Sequence, residues 1–342
     1  MEFRQEQPLD YLLFSRQAVG GLWNDVPRNL LTLSPGQWME FAFYPLAQYA
    51  QEQGLDLKVN ELIIKRDLIN YYHHIPARFG QEKNIRTGVN VTAIEPHEKG
   101  FRLTANLLNS GTTQHYTCKY LILATGQRAV LRQLDVPGED LPWVIHHYDK
   151  PEDIPGERVV VVGGGRSADW AATELHDAGK QVHYLMRQGP EIHWRLINDS
   201  RHGLPYYTRI AEILESRSPR LQTYYHSHIQ KISEGPQGGS VRIKIDALEQ
   251  IIKTDHVIKE IGGVADYSIL KGFPPLSLQD KHDNYRFQVH QVKTHPHNYQ
   301  ALGIPNLYIG GYLSAGLEPV VIGMHGTTYA IAGDILQREN VL

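Results

Sequence analysis

Residues 159–175, VVVVGGGRSADWAATEL, constrain the fold of this chain more than any other stretch. Four consecutive valines form a β-branched run with no polar alternation, the pattern of a parallel strand buried on both faces. A glycine-rich turn follows, and then small residues and charges at helical spacing. The turn reads Gly163-x-Gly165-x-x-Ala168, the dinucleotide fingerprint with alanine in third place. The first glycine permits the tight turn, the second lets backbone approach a pyrophosphate, and the small third residue lets helix and strand pack closely. The free N–H groups and dipole of the helix N-terminus favour the anion there. Gly163, Gly164, Gly165, Arg166, Ser167 and Ala168 are therefore candidate nucleotide ligands.

The flanks agree with this reading. Residues 181–186, QVHYLM, supply a second strand after the turn Ala178-Gly179-Lys180, which completes a βαβ unit. An NAD site usually carries an acid at the end of that strand for the ribose 2′-hydroxyl. This chain has Arg187 there and Arg166 inside the turn, and two guanidiniums suit the 2′-phosphate of NADPH.

A length of 342 residues exceeds one ordinary core and fits two domains. Hydrophobic content of 41% and charged content of 21% are globular values. With 34 basic and 37 acidic residues, net −3, there is no electrostatic case for nucleic acid or an anionic membrane. No apolar run is long enough to span a bilayer and the N-terminus lacks a signal-peptide core, so a soluble, cytoplasmic protein is expected. The single cysteine, Cys118, rules out an intrachain disulfide, a cysteine zinc cluster and a redox-active dithiol. The pairs His226-x-His228 and His295-x-His297 have no third ligand at suitable spacing, so no metal is assigned. No serine elbow or strand-end carboxylate pair points to hydrolysis.

Along the chain, residues 65–79, KRDLINYYHHIPARF, read as a helix facing a core through Leu68, Ile69, Tyr72 and Ile75, ended or kinked by Pro76. Residues 85–94 and 100–107 alternate as strands of a meander. KYLILATGQ, residues 119–127, ends a strand in small residues that let a flat ligand approach. Residues 192–213 read as a polar, aromatic loop and a helix. Residues 241–245 and 251–253 pair across a turn, HVIKEIGG returns as a strand, and NLYIGG ends a later strand in a glycine pair. The order ATG, then PGE, a His/Tyr stretch and GxGxxA is that of a two-dinucleotide flavoprotein. In that plan, one nucleotide domain is inserted into the other.

The runs GGLWNDVPRNLLTLSPGQWMEF, RDLINYYHHIPARFG followed by VTAIEP, ATGQ with LPWVIHHYD, and GGGRSADWAATEL together resemble the oxidative stress induced growth inhibitor family. That family lies within the wider flavin-containing monooxygenases and lysine and ornithine N-hydroxylases. The likeness runs along essentially the whole chain. It implies an α/β, Rossmann-like fold with FAD, NADPH and dioxygen. In that chemistry a reduced flavin adds oxygen at its C4a carbon, and the peroxide oxygenates a soft nucleophile such as an amine or sulfide.

By position, the resemblance puts Trp23, Gln37 and Trp38 along the flavin ring, Val91 at the adenine, and Thr125 and Gly126 near the flavin or the domain crossover. It puts Gly311 at the ribityl chain, with Glu318 in place of the usual acid, because Tyr312 follows Gly311. Tyr71 and Tyr72 border the substrate pocket or, on helical spacing alone, belong to the core. The domains expected are an FAD-type domain over residues 1–155 and 291–342 and an NADPH domain over 156–290. Relatives carry an N-terminal GxGxxG that this sequence lacks, so an FAD domain incomplete at its N-terminus is expected. Three functions compete: an NADPH-dependent flavin monooxygenase, a non-catalytic NADPH-binding remnant without FAD, and a thioredoxin reductase-like flavin reductase, which the lone Cys118 disfavours. The partner expected is a small-molecule substrate, and a homo-oligomer is open.

Overall fold

The computed structural model describes residues 9–235, 238–282, 288–317 and 321–340, which fall into two compact units. Unit 1 comprises Met1–Asn24, Ser34–Val130 and Val264–Leu342; unit 2 comprises Asp25–Leu33 and Leu131–Gly263.

Unit 1 begins with two helices, α1 (Leu46–Gln53) and α2 (Lys65–Arg78). They bury Leu46, Tyr49, Leu68 and Tyr71 in one cluster with Met39, Tyr44 and Ile63. Pro76 does not end α2, which continues to Arg78. In the last turn only one N–H is lost, and the N–H groups of Phe79 and Gln81 still reach the carbonyls of Ile75 and Pro76. The meander has three strands rather than two: β1 (Val89–His97), β2 (Gly100–Leu107) and β3 (Thr113–Cys118), all antiparallel. β3 escaped the sequence reading because TQHYTC is mostly exposed and shows no apolar alternation. The short strand β4 (Leu121–Leu123) follows.

Unit 2 contains β5 (Val144–His146), β6 (Arg158–Val162), α3 (Arg166–Asp177), β7 (Gln181–Leu185), α4 (Pro190–Ser200), α5 (Pro205–Glu215) and β8 (Leu221–Tyr224). The meander β9 (Ser227–Ser233), β10 (Gly239–Ile245) and β11 (Leu248–Thr254) leads into β12 (His256–Lys259). β5, β12, β6, β7 and β8 form one parallel sheet in that order. Its central strands are buried on both faces, with Val159, Val160, Val161, Val182, Val257 and Ile258 wholly inaccessible. Such burial explains why the sequence shows continuous apolar runs here. Val160, Leu185 and Val257 pack against Ile232, Val241, Ile243 and Ile252 of the meander. α3 packs on β6 and β7.

Unit 1 resumes with the antiparallel hairpin β13 (Leu278–His282) and β14 (Gln288–Val292), then β15 (Leu307–Ile309) and α6 (Val321–Arg338). β15 pairs in parallel with β4, and Leu123, Leu307 and Ile309 join Ile94, Phe101 and Leu103 of the meander in one core. The unit boundaries fall at 130/131 and 263/264, against 155/156 and 290/291 in the sequence reading. The reason is pairing: β5, which precedes the valine run, is the edge strand of the unit 2 sheet. Among the described residues, no helix is long and apolar enough to cross a membrane.

Candidate functional site

The fingerprint turn lies where β6 ends and α3 begins. Gly163 has φ +146, and a Cβ there would lie 2.3 Å from the carbonyl oxygen of Glu260 and 3.0 Å from Ala168 Cβ. Only glycine fits this strand exit, and only a small residue fits at Ala168, which is fully buried. Gly165 caps α3 with extended backbone and no side-chain hydrogen bond to the first turn. Being glycine, this cap offers no side-chain acceptor of its own to the first turn of the 12-residue helix. Ser167 is half-buried in that first turn. The Arg166 guanidinium stands 5.3 Å over the ring of Tyr207 from α5.

Arg187 is exposed on the loop after β7. Its neighbour Gln188 joins that loop to the glycine turn, because Gln188 Nε2 donates to the Gly164 carbonyl at 2.7 Å. A Cβ on Gly164 would meet the Gln188 side chain at 2.5 Å. The turn after β8 holds the same loop, since the Ser227 N–H donates to Met186 O at 2.9 Å and the His226 N–H to Gln188 O at 3.3 Å. Beneath α3 lies a wholly buried carboxylate, Asp169, which meets His193 Nε2 at 2.7 Å and the Tyr184 hydroxyl at 2.8 Å. Burial, with Asp169 adding to it, raises the Tyr184 phenol well above its ordinary pKa. Sequence reasoning missed Gln188, Asp169 and His193. A signal existed: Asp169, Thr173 and His176 form a polar row on the buried side of α3.

A second glycine-rich place lies at the shared end of β4 and β15 in unit 1. The Gly310 N–H donates to Leu123 O at 2.9 Å, and a Cβ on Gly310 would come 3.2 Å from Ala124 Cβ. This pairing brings Thr125 and Gly126 beside Gly311. Thr125 is exposed, Gly126 has φ +74 with nothing within 4 Å of its Cβ position, and Gly311 has φ +63. The buried Gln291 fixes the segment after Gly311 by donating to Tyr312 O at 3.1 Å and Leu317 O at 2.9 Å. Gln127 donates to His290 O at 3.0 Å. Glu318 lies outside the described residues.

The remaining candidates stand on other elements of unit 1. Gln37 and Trp38 are exposed on the short helical turn that follows Pro35, with Trp38 at 49%. Trp23 is half-buried against the cluster around Tyr44 and Tyr71. Val91 lies in the β1–β2 ladder with its side chain against the unit 1 core. Tyr71 is fully buried, its hydroxyl donating to Tyr44 O at 2.5 Å and accepting from the Phe41 N–H at 2.9 Å. The Tyr72 hydroxyl donates to Met39 O at 2.8 Å. Both tyrosines therefore hold the 39–44 segment from within the core. Cys118 at the end of β3 is half-buried, and burial pushes its thiol up to about 11. Among the described residues, no group of three histidine, cysteine or acidic side chains could hold a metal.

A parallel sheet with a glycine turn feeding a helix in one unit, and a second glycine-rich strand end in the other, are the parts of a two-dinucleotide α/β oxidoreductase. The chain belongs to the pyridine nucleotide-disulphide oxidoreductase family, whose profile matches residues 1–311. It is 22% identical to human oxidative stress-induced growth inhibitor 1 over 364 residues, covering 98% of this chain and 76% of that protein. The bacillithiol disulfide reductase Bdr of Staphylococcus aureus shares its fold, with TM-score 0.73 at 19% identity over 96% of this chain and 91% of that one. So does the ornithine N-hydroxylase of Kutzneria sp. 744, solved with reduced FAD, NADP+ and L-ornithine, with TM-score 0.71 at 16% identity over 98% and 94%. Its family makes the chain a pyridine nucleotide-dependent oxidoreductase.

Proposed function

We propose that this protein is an NADPH-dependent flavin monooxygenase acting on a small amine or another soft nucleophile. The observation that carries the cofactor half is the glycine cap of α3 behind the sterically fixed Gly163, where no cap side chain competes with a pyrophosphate for the helix N-terminus. In this reading Gly163, Gly164, Gly165, Arg166, Ser167 and Ala168 hold NADPH, and Arg187 meets its 2′-phosphate. Thr125, Gly126 and Gly311 hold FAD, where open space at Gly126 lets a ligand approach backbone closely. Bound FAD would supply the redox and oxygen chemistry; the chain's residues bind and orient the two cofactors and exclude water. Gln37, the exposed Trp38 and Trp23, which is half-buried on the Tyr44 and Tyr71 cluster, are the side chains assigned to the flavin ring. Val91 remains assigned to adenine through its backbone.

The amine preference is supported by the Kutzneria enzyme's ornithine. A reductase that relays electrons through its own dithiol is disfavoured, because the chain has one cysteine and burial keeps that thiol protonated at neutral pH. The test is the protein supplied with FAD and NADPH in air. A bound-flavin spectrum, with NADPH oxidation and hydroxylated product on adding a primary amine, is expected. Colourless protein that still binds NADPH would replace the reading with a non-catalytic remnant, and NADPH oxidation driven only by a disulfide would replace it with a reductase.

A further inference from the structure

The cofactor reading leaves unused the carboxylate that lies wholly buried under the glycine turn. Asp169 is on the first turns of α3, four residues after Gly165. Its Oδ1 is shared by the Tyr184 hydroxyl and by His193 Nε2, while Oδ2 has no hydrogen-bond partner. His193 is equally buried, and its Nδ1 meets the Tyr225 hydroxyl at 3.0 Å. Burying a carboxylate with one oxygen unfilled costs stability, and a well-packed apolar side chain would avoid that cost. A purely structural role therefore explains the cluster poorly.

Its geometry suggests another role. The cluster's members come from α3, β7, α4 and the end of β8. His193 stands on the first turns of α4, whose N-cap Gly189 directly follows the Arg187 and Gln188 loop. Gln188 in turn holds the Gly164 carbonyl, and Arg166 of the glycine turn stacks on Tyr207. The glycine turn and the 187–189 loop are thus both hinged on helices that the Asp169 cluster joins.

We propose that Asp169, His193 and Tyr225 form a positioning device that fixes α4, and with it the 187–189 loop, against the glycine turn, and so set the discrimination between NADPH and NADH. The proposal rests on the NADPH reading above. None of the three residues touches the nucleotide; they act through Arg187 and Gln188. Replacing His193 frees α4 to shift, and a shifted Arg187 loses a charge-assisted hydrogen bond to the 2′-phosphate while the pyrophosphate stays on α3.

The test uses 2′,5′-ADP and 5′-ADP as probes on the whole chain, with binding followed by calorimetry and folding by thermal melt. Wild type is expected to prefer 2′,5′-ADP. In His193→Gln this preference falls about tenfold, the loss of roughly one charge-assisted hydrogen bond, with 5′-ADP affinity little changed. In Tyr225→Phe, which removes only the hydroxyl orienting the imidazole, the fall is smaller. Equal weakening of both probes, or an unchanged preference in both variants, overturns the proposal and leaves the NADPH reading standing. Loss of a cooperative melt in both variants also overturns it, since the cluster would then serve folding alone. A wild-type protein with no preference for 2′,5′-ADP overturns the NADPH reading and the proposal together.

Discussion

The two glycine-rich strand ends apply one physical device on different foundations. In unit 2 the turn follows a strand buried on both faces, with a neighbour on each side and the 12-residue helix α3 directly behind it. In unit 1 the corresponding place rests on a pair of three-residue strands, and Ile122 in the middle of β4 is 49% exposed. The unit 2 turn is set by contiguous backbone and tied by one side chain, Gln188, whereas in unit 1 the loop depends on two, Gln291 and Gln127, that hold it from a distance in sequence. A site built on continuous backbone tolerates almost no change at its glycines, and a site closed by side chains tolerates more.

That contrast can be broken most sharply at the glycines. Gly163→Ala is expected to destabilise unit 2 by roughly 3 kcal/mol or more and abolish NADPH binding, because its Cβ would meet the Glu260 carbonyl at 2.3 Å. Gly126→Ala has free space around it and suffers only the left-handed backbone, about 1 kcal/mol. Chemical denaturation of the two variants with nucleotide titration measures both; equal losses would erase the distinction. Next in size, Arg187→Ala is expected to weaken NADPH about tenfold or more and NADH little, by fluorescence titration. Equal loss for both cofactors would remove Arg187 from the 2′-phosphate.

The pH response should also separate the units. Burial lowers the pKa of His146, His183 and His256, all in unit 2, with nearby cations adding to the effect. A histidine with a depressed folded pKa binds more protons unfolded than folded, so its stabilising contribution is lost as pH falls through its unfolded value, about 6.5. Unit 1's resolved acid-side shifts belong to carboxylates. Glu52 is held down to about 2 by hydrogen bonds from Arg78, Gln48 and Tyr44, and Glu339 is lowered by Lys119 and Tyr120. For these carboxylates the folded pKa is depressed, so stability is present above the unfolded value of about 4.3 and disappears as pH falls below it. Hydrogen exchange resolved by segment should therefore show unit 2 loosening between about pH 6.5 and 5 while unit 1 holds. Simultaneous loosening would contradict the assignment. The smallest effect is expected at Cys118→Ser: NADPH oxidation within about twofold of wild type, because a buried thiol pushed up to about 11 is no nucleophile at neutral pH. A large loss would return the reductase reading.

The strand, glycine turn and helix of unit 2 were legible because their determinants are contiguous. Strand, turn and helix occupy residues 158–177, and the functions of Gly163 and Ala168 follow from local sterics. Gln188 and His193 were not legible, because nothing in QGPEIHW marks a side chain that reaches back to a turn more than twenty residues earlier. The helical pattern of 65–79 was readable, with Leu68 and Ile69 buried and Tyr72 and Ile75 packed on the core, but Tyr71 rather than Tyr72 is the tyrosine that is fully buried. Adjacent tyrosines at helical spacing are 100° apart, and only the neighbours decide which one turns inward. The compact units divide at other residues than the expected domains, because the edge strand Val144–His146 is too short to announce its partner.

The sequence by itself determined the family, the βαβ unit and the glycine turn between its strand and helix, because buried parallel strands and glycine turns impose local patterns. Tertiary structure alone decided which side chains fasten that turn. It brought Asp169, Tyr184, His193 and Tyr225 from separate elements into one buried cluster and paired β4 with a strand 186 residues further along. Those contacts depend on where distant backbone is packed, and local spacing carries no record of that.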